Sequence, residues 1–230
     1  MIRIRPSAER GLGRESWLES RHSFSFHTYQ DPSHMGFRQL RVINEDRVAP
    51  GAGFGMHEHR DMEIFSFVIS GALEHRDNLG NRETIGPGEL QMFSAGTGIR
   101  HSEYNPSDRE PVHFFQIWIF PERQGLPPGY EKKSFDLAKP GLQLLASPEG
   151  DDGASVIHQD ARVYYGLLDN GDAHVRPLAP GRHAWLQMVD GRLKLNGQGL
   201  MAGDGAALSE EKTLQLHALE TARFLLFDLG

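Results

Sequence analysis

Five stretches of the chain alternate hydrophobic and polar residues or concentrate β-branched and aromatic ones, which is typical of β-strands. They are 38–44 (RQLRVIN), 63–70 (EIFSFVIS), 112–120 (VHFFQIWIF), 184–189 (AWLQMV) and 222–228 (ARFLLFD). Gly, Pro, Asn or Asp residues bound these stretches, and turn signals recur at intervals of roughly 8–12 residues. No long stretch shows the hydrophobic period of a helix. The pattern predicts an all-β chain.

The second half of the chain repeats the order of features in the first half. In each half a predicted strand runs into a glycine, a hairpin follows, and a Gly-x-Gly turn comes next. The glycines are Gly71 and those at 86–88 in the first half, and Gly191 and those at 203–205 in the second. We therefore expect two similar β-barrels. Residues 1–123 would form the first, 124–153 a Gly- and Pro-rich connection, and 154–230 the second.

Composition and charge narrow the function. The chain has 24 Lys and Arg against 31 Asp and Glu, a net charge of −7, so we expect no direct binding to nucleic acid. The absence of cysteine excludes disulfides, thiolate nucleophiles and zinc–thiolate sites. The start of the chain lacks a signal-peptide pattern, and no apolar run is long enough to span a membrane. We expect a cytoplasmic protein without membrane association.

Histidine is unusually frequent in the chain, with 12 residues. Two tight motifs hold His57-x-His59 and His101-x-Glu103, both framed by glycines. Residues i and i+2 of a strand project from the same face, so each pair points one way. If the two strands face each other, three imidazoles and one carboxylate converge. Such a set suits a divalent transition metal and leaves coordination positions open for a substrate or dioxygen.

Other polar and aromatic residues fit structural roles better. We expect His75, after the Gly71 turn, to be a surface or hairpin histidine and not a ligand. His22, His27 and His34 lie near the N-terminal phenylalanines and either line a pocket or pack. In 112–120, parity places His113 on one face and Gln116 on the other, without deciding which face is interior.

The motifs resemble those of a known family. G-x5-H-x-H-x3-E, from Gly51 to Glu63, resembles the first cupin motif, with one extra residue before Gly71, and His101-x3-Asn105 resembles the second. More narrowly, the chain resembles the pirin family, and within it the bacterial quercetin dioxygenase-like proteins. The matching stretches are HSFSF at 22–26, YQDP at 29–32, MGF at 35–37, LRVIN at 40–44 and AGTGIRHSEYN at 95–105. These stretches cover most of the first half of the chain, whereas the second half matches only in the order of its features.

The resemblance implies two cupin-type antiparallel β-barrels, a bicupin, and one metal ion bound by His57, His59, His101 and Glu103. Fe(II) is the expected ion, with Zn, Ni, Cu, Mn and Co as alternatives. Glu63 is a rival ligand, because many cupins take their acid from the first motif and Glu63 shares strand parity with the two histidines. If Glu103 is the ligand, Glu63 has a structural role or orients an imidazole.

The resemblance also implies an activity, the opening of the flavonol ring of quercetin with O2 and release of carbon monoxide. Glu103, or Glu63 as the alternative, would take the proton of the flavonol hydroxyl. The competing hypothesis is a metal-dependent redox sensor or transcription-cofactor type protein that binds a regulatory protein partner. In either case we expect the second barrel to lack a metal, since Pro177 and Ala179 align with the His-x-His pair.

Overall fold

The computed structural model describes residues 1–230, and strands dominate it. In chain order the strands are β1 (Ile2–Arg5), β2 (Gly11–Arg14), β3 (Leu18–His22), β4 (Leu40–Val48), β5 (Gly53–His59), β6 (Glu63–Ser70), β7 (Leu73–Asp77), β8 (Arg82–Ile85), β9 (Glu89–Ser94), β10 (Ile99–Tyr104), β11 (Val112–Ile119), β12 (Gly129–Ser134), β13 (Gly141–Ser147), β14 (Ser155–Val156), β15 (Ala161–Leu168), β16 (Ala173–Pro177), β17 (His183–Asp190), β18 (Arg192–Leu195), β19 (Gln198–Met201), β20 (Gly205–Ser209), β21 (Thr213–Ala218) and β22 (Ala222–Leu229). Helical structure is limited to two 3-10 turns, Ser7–Glu9 and Asp151–Gly153. Neither is a candidate for crossing a membrane. The all-β prediction is confirmed.

The N-terminal unit consists of Gly11–Phe135 and Ile157–Gln159. Its larger sheet has the strand order β12-β9-β6-β11-β4-β3-β2, and its smaller sheet the order β5-β10-β7-β8. Every pairing in both sheets is antiparallel. Apolar side chains of β6, β7, β8 and β11, including Val68, Leu73, Ile85 and Phe114, form a buried cluster within this unit.

The C-terminal unit consists of Met1–Arg10, Asp136–Val156 and Asp160–Gly230. Its sheets have the orders β1-β20-β17-β22-β15-β13-β14 and β16-β21-β18-β19, so most strands have a counterpart in the N-terminal unit. The topology confirms the internal repeat. One pair, β13 with β14, is parallel. Leucines and other apolar residues fill the core of this unit, among them Leu186, Leu216, Phe224 and Leu226.

Each unit is a sandwich of a seven-stranded and a four-stranded sheet, whereas the sequence pattern led us to expect closed barrels. No hydrogen-bonded ladder joins the two sheets of a unit, and each sheet ends in edge strands such as β5 and β8. Alternating hydrophobicity is the same in a barrel and in a sandwich, because both bury one face of every strand. The pattern therefore could not distinguish them.

The structure divides the chain differently from the predicted boundaries at 123 and 153. Strand β1 pairs with β20, so the first ten residues belong to the C-terminal unit. The expected connection, 124–153, contains β12, which pairs with β9, and β13, which pairs with β15. Strand β12 has the sequence GYEKKS and is half-buried at a sheet edge, so it lacks the hydrophobic alternation that marks an interior strand.

Candidate metal centre

Strands β5 and β10 bring the two histidine motifs together. They pair antiparallel, with His57 directly opposite His101 and His59 opposite Ile99. The strands approach closely at Gly53, where a Cβ atom would lie 2.3 Å from the carbonyl oxygen of Glu103. Only glycine fits there. The close approach of the two strands therefore explains why a glycine precedes the first histidine motif. The predicted convergence of the three histidines is confirmed.

The three imidazoles form a compact cluster. Ring centroids are 4.4 Å apart for His57 and His101, 4.9 Å for His59 and His101, and 4.7 Å for His57 and His59. One nitrogen from each ring lies within 4.8 Å of the others. His101 is fully buried, whereas His57 and His59 are half-buried, so solvent reaches the cluster from their side.

The protonation of these rings suits metal binding. Burial lowers the pKa of His59 to about 3, and the neighbouring His101 and His57 add to the effect. Burial also lowers the pKa of His101 to about 2, with His57 again contributing. Both rings are therefore neutral near pH 7, which is the form that donates a lone pair to a metal.

Buried histidine nitrogens without hydrogen-bond partners indicate whether the cluster could hold a metal ion. His59 Nε2 and His101 Nε2 are buried and have no hydrogen-bond partner. His57 Nδ1 donates to the Gly55 carbonyl oxygen at 2.7 Å, which leaves its Nε2 as the acceptor. Buried polar atoms without a partner are costly, and a metal ion would satisfy those of His59 and His101. The cluster therefore fits a divalent transition metal.

Glu103 is buried close to this cluster but belongs to a different group of side chains. Its Oε1 accepts from Ser66 Oγ at 2.7 Å and Gln91 Nε2 at 2.9 Å, and its Oε2 accepts from Gln116 Nε2 at 2.9 Å. Its nearest potential ligand partners are His75 and His101, within 4.8 Å. The structure thus brings Glu103 next to His101 and orients its carboxylate by three donors.

The three donors to Glu103 are site residues, of which the sequence pattern left Ser66 and Gln91 unnoticed and did not decide whether Gln116 faces the interior. Ser66, Gln91 and Gln116 lie on β6, β9 and β11, and Ser66 is paired with both Gln91 and Gln116. Each is buried between large apolar residues of its strand. A single polar residue within an otherwise apolar strand is the sequence feature that could have identified them.

Glu63 lies away from the cluster, which contradicts its proposed role as rival ligand. It accepts from Ser94 Oγ at 3.0 Å and from His158 N at 3.2 Å. Glu63 and Ser66 are three residues apart on β6 and so project from opposite faces, and Ser66 is the one that contacts Glu103. The parity argument failed because β5 ends at His59, and the intervening turn includes Asp61 with φ of 49°.

His75 lies in the β7–β8 hairpin and is fully buried, so of the two expected locations the structure shows the hairpin and not the surface. Its Nε2 lies 3.0 Å from Asp77 Oδ2, and its Nδ1 lies 3.4 Å from His101 Nδ1. Its ring stacks on Tyr130 with centroids 4.7 Å apart. Burial by itself raises the pKa of Asp77, but hydrogen bonds from His75 and Asn81 outweigh it, so this pKa lies below its usual range.

Aromatic rings next to the histidines settle which face of β11 is interior. Trp118 packs edge-on against His59 with centroids 4.8 Å apart, and Phe26 packs against Trp118 at 5.4 Å. Gln116 and Trp118 therefore face the histidine cluster. His113, on the other face, bonds Glu45 at 2.9 Å.

The three N-terminal histidines differ in environment. His22 is buried, bonds Asn44 at 2.8 Å, stacks on Tyr29 and lies tilted against Phe26. His34 bonds Asp31 at 2.6 Å, and His27 is exposed. None of the three belongs to a group that could hold a metal ion.

The corresponding region of the C-terminal unit is different. Both groups of side chains that could hold a metal ion lie in the N-terminal unit. His183 bonds Ser209 Oγ at 2.8 Å, and His217 is exposed. Pro177 ends β16 and Ala179 follows it, so no side chain there can replace the His-x-His pair.

Fold and site together define a two-domain cupin protein of the sandwich type, with a histidine-rich centre in its N-terminal domain. The family model of pirin matches residues 5–119, and that of the quercetinase C-terminal cupin domain matches residues 144–229. A quercetin 2,3-dioxygenase of Escherichia coli strain K12 is 47% identical over 229 residues, covering 100% of this chain and 99% of the relative. The chain belongs to the pirin family.

Solved structures agree with this assignment. YhhW from Escherichia coli superimposes with a TM-score of 0.98 at 46% identity, covering 100% of this chain and 98% of that chain. The bacterial pirin YhhW in complex with nickel(II) gives a TM-score of 0.97 at 46% identity, covering 100% and 99%. The predicted family is confirmed, and the bound nickel shows that a close relative holds a divalent metal.

Proposed function

We propose that this chain is a metal-dependent dioxygenase that opens the flavonol ring of quercetin with O2 and releases carbon monoxide. The main support is the convergence of His57, His59 and His101, with two of their buried nitrogens unpartnered, beside the buried carboxylate of Glu103. A relative that is 47% identical over its full length is named quercetin 2,3-dioxygenase. The overall reaction needs no external reductant, because both atoms of O2 enter the ring-opened product.

The metal ligands in this proposal are the three histidines and Glu103. Fe(II) is the proposed ion, because imidazole and carboxylate ligands that would leave coordination positions open are typical of iron oxygenases. When bound, such an ion supplies Lewis acidity toward the flavonol hydroxyl and redox chemistry toward dioxygen. Nickel(II) in the related structure makes Ni the first alternative to test.

In this proposal, residues of the chain bind the substrate and accept the proton of its hydroxyl group. Trp118 is half-buried beside His59 and offers an apolar ring surface to a flat aromatic substrate. A Glu103 oxygen is the proposed acceptor for the proton of the substrate hydroxyl. Ser66, Gln91 and Gln116 hold that carboxylate in one orientation, so little reorganisation is needed when the proton arrives.

The proposal is tested by turnover with a defined metal. Protein freed of metal by a strong chelator is reconstituted anaerobically with Fe(II), Ni(II) or Zn(II) and mixed with quercetin and O2. We expect O2 consumption and carbon monoxide release in equal amounts with the active ion, and neither from metal-free protein. His57→Ala should abolish both, because it removes a ligand from the cluster.

The matched control is His34→Ala, since His34 lies in no group that could hold a metal. Its turnover should equal that of the unmodified chain. Activity that survives complete metal removal would overturn the dioxygenase proposal. Tight metal binding without turnover by any of the three ions would also overturn it and favour the redox-sensor hypothesis.

A further inference from the structure

A buried chain of three side chains leads from a carboxylate to a proposed metal ligand. Asp77 contacts His75 at 3.0 Å, and His75 contacts His101 at 3.4 Å. We propose that His75 and Asp77 are positioning residues that fix the tautomer of His101, so that its Nε2 presents a lone pair to the metal. This inference rests on the metal centre of the proposed function and adds two residues to it.

Asp77 anchors the chain as a pure acceptor. Its side chain is completely buried, and its Oδ1 accepts from Leu79 N at 2.9 Å and Asn81 N at 3.0 Å. Its Oδ2 accepts from Asn81 Nδ2 at 2.8 Å as well as facing His75 Nε2. An ionised carboxylate has no proton to donate, so the hydrogen between Asp77 and His75 must be on Nε2 of His75.

The position of this hydrogen determines the next one. A neutral imidazole carries one hydrogen, so Nδ1 of His75 is left as an acceptor. Nδ1 of His101 faces it and must therefore carry the hydrogen. His101 then has a bare Nε2, which is the buried nitrogen without any partner. The opposite arrangement would place a hydrogen on that nitrogen and block coordination.

The packing around His75 supports a positioning role over a ligand role. Its two nitrogens are both engaged, one by Asp77 and one by His101, so neither is free for a metal. Tyr130 stacks on its ring, and Phe93 lies 5.8 Å from it, which holds the ring plane. Strand β7 places both residues beside β10, with His75 paired to Glu103 and Asp77 paired to His101.

The experiment reads the tautomer of His101 directly. Metal-free protein labelled with 15N-histidine is examined by long-range 1H–15N correlation, which distinguishes Nδ1–H from Nε2–H imidazoles. The chain as it stands should show His101 as the Nδ1–H form. His75→Phe keeps an aromatic ring but removes the acceptor, so the Nε2–H form should become populated. His75→Asn places an amide oxygen near the former Nδ1 and should restore the Nδ1–H form.

Metal affinity provides the second measurement, by calorimetric titration with Ni(II). Loss of a partner that orients a metal-binding histidine typically costs 10–100-fold in affinity, so His75→Phe should weaken binding by about that factor. Asp77→Asn should act in the same direction, because an amide can donate to His75 and reverse both hydrogens. The matched control is His113→Phe, which removes another histidine paired with a carboxylate but on the far face of β11. It should bind Ni(II) within about threefold of the unmodified chain.

The outcomes separate this inference from the metal centre itself. If the unmodified chain binds no Ni(II), Fe(II) or Zn(II), the proposed function fails, while the tautomer of His101 can still be read. If the chain binds metal but His75→Phe and Asp77→Asn leave both the tautomer and the affinity unchanged, the inference is overturned. If His75→Asn loses as much affinity as His75→Phe despite the Nδ1–H form, His75 is a ligand and the positioning role is wrong.

Discussion

Two substitutions, Glu103→Gln and Glu63→Gln, test which buried glutamate contributes to metal binding. Glu103 and Glu63 are both 1% exposed and both accept hydrogen bonds from side chains of their own unit. Glutamine keeps the size of the side chain and removes its negative charge. Only Glu103 lies next to a histidine of the cluster, so the two substitutions should affect metal binding very differently.

The expected magnitude follows from the distance between the charges. A Glu103 oxygen lies within 4.8 Å of a His101 nitrogen, which sets the scale for its separation from an ion held there. With an effective dielectric constant of about 20, one unit charge at about 4.8 Å from another contributes about 3.5 kcal/mol per unit charge. A divalent ion doubles this to about 7 kcal/mol, so the roughly 300-fold loss of affinity that one unit charge gives is a lower bound for Glu103→Gln. Direct coordination would increase this loss.

Calorimetric titration of the metal-free proteins with Ni(II) measures both affinities. Urea unfolding of the same samples checks that each variant is folded. Glu63→Gln should stay within about tenfold of the unmodified chain, because Glu63 projects from the far face of β6. The reasoning is refuted if Glu63→Gln weakens binding more than Glu103→Gln does, or if Glu103→Gln changes it by less than tenfold.

Three further results are expected. Elemental analysis of the reconstituted protein should give one metal ion per chain, and two would contradict a single centre. The free energy of unfolding of the metal-free protein should be highest above about pH 6.5 and fall toward pH 3. The reason is that the lowered pKa values of His59 and His101 make the unfolded chain bind more protons than the folded one in that range; equal stability at pH 7 and pH 5 would contradict this. Gly166→Ala should destabilise by about 1–3 kcal/mol in urea unfolding, because its Cβ would lie 2.2 Å from the buried ring of Phe224. Gly199→Ala has open space there and is the control, so an equal loss in both would contradict the steric argument.

Local patterns were enough to predict the three histidines of the site. Each motif occupies a single strand, where the alternation of side chains puts i and i+2 on one face whatever the rest of the fold does. Pairing of β5 with β10 then brings His57 opposite His101. The alternation also identified central strands of the two seven-stranded sheets, because these are buried and rich in β-branched and aromatic residues.

The errors concern features that depend on distant parts of the chain. His75 owes its burial to β10, which pairs beside it, and to Tyr130 from β12. Glu63 was misplaced because strand parity does not continue through the turn before β6. The unit boundaries were wrong because β1 and β12 are edge strands whose partners lie far along the sequence. Edge strands lack the strong patterning that a single sequence reveals.

The pairing of β1 with β20 has a consequence for synthesis of the chain on the ribosome. Ile2 pairs with Leu208, 206 residues later (208 − 2), whereas β2 to β12 find every sheet partner among themselves. At about 5–20 residues per second, the first strand waits on the order of 10–40 s for its partner to be translated. During that time β1 must remain unpaired while the domain that follows it folds. An N-terminal fusion that binds β1 should therefore delay folding of the C-terminal domain. Folding of the N-terminal domain, which contains the histidine cluster, should be unaffected.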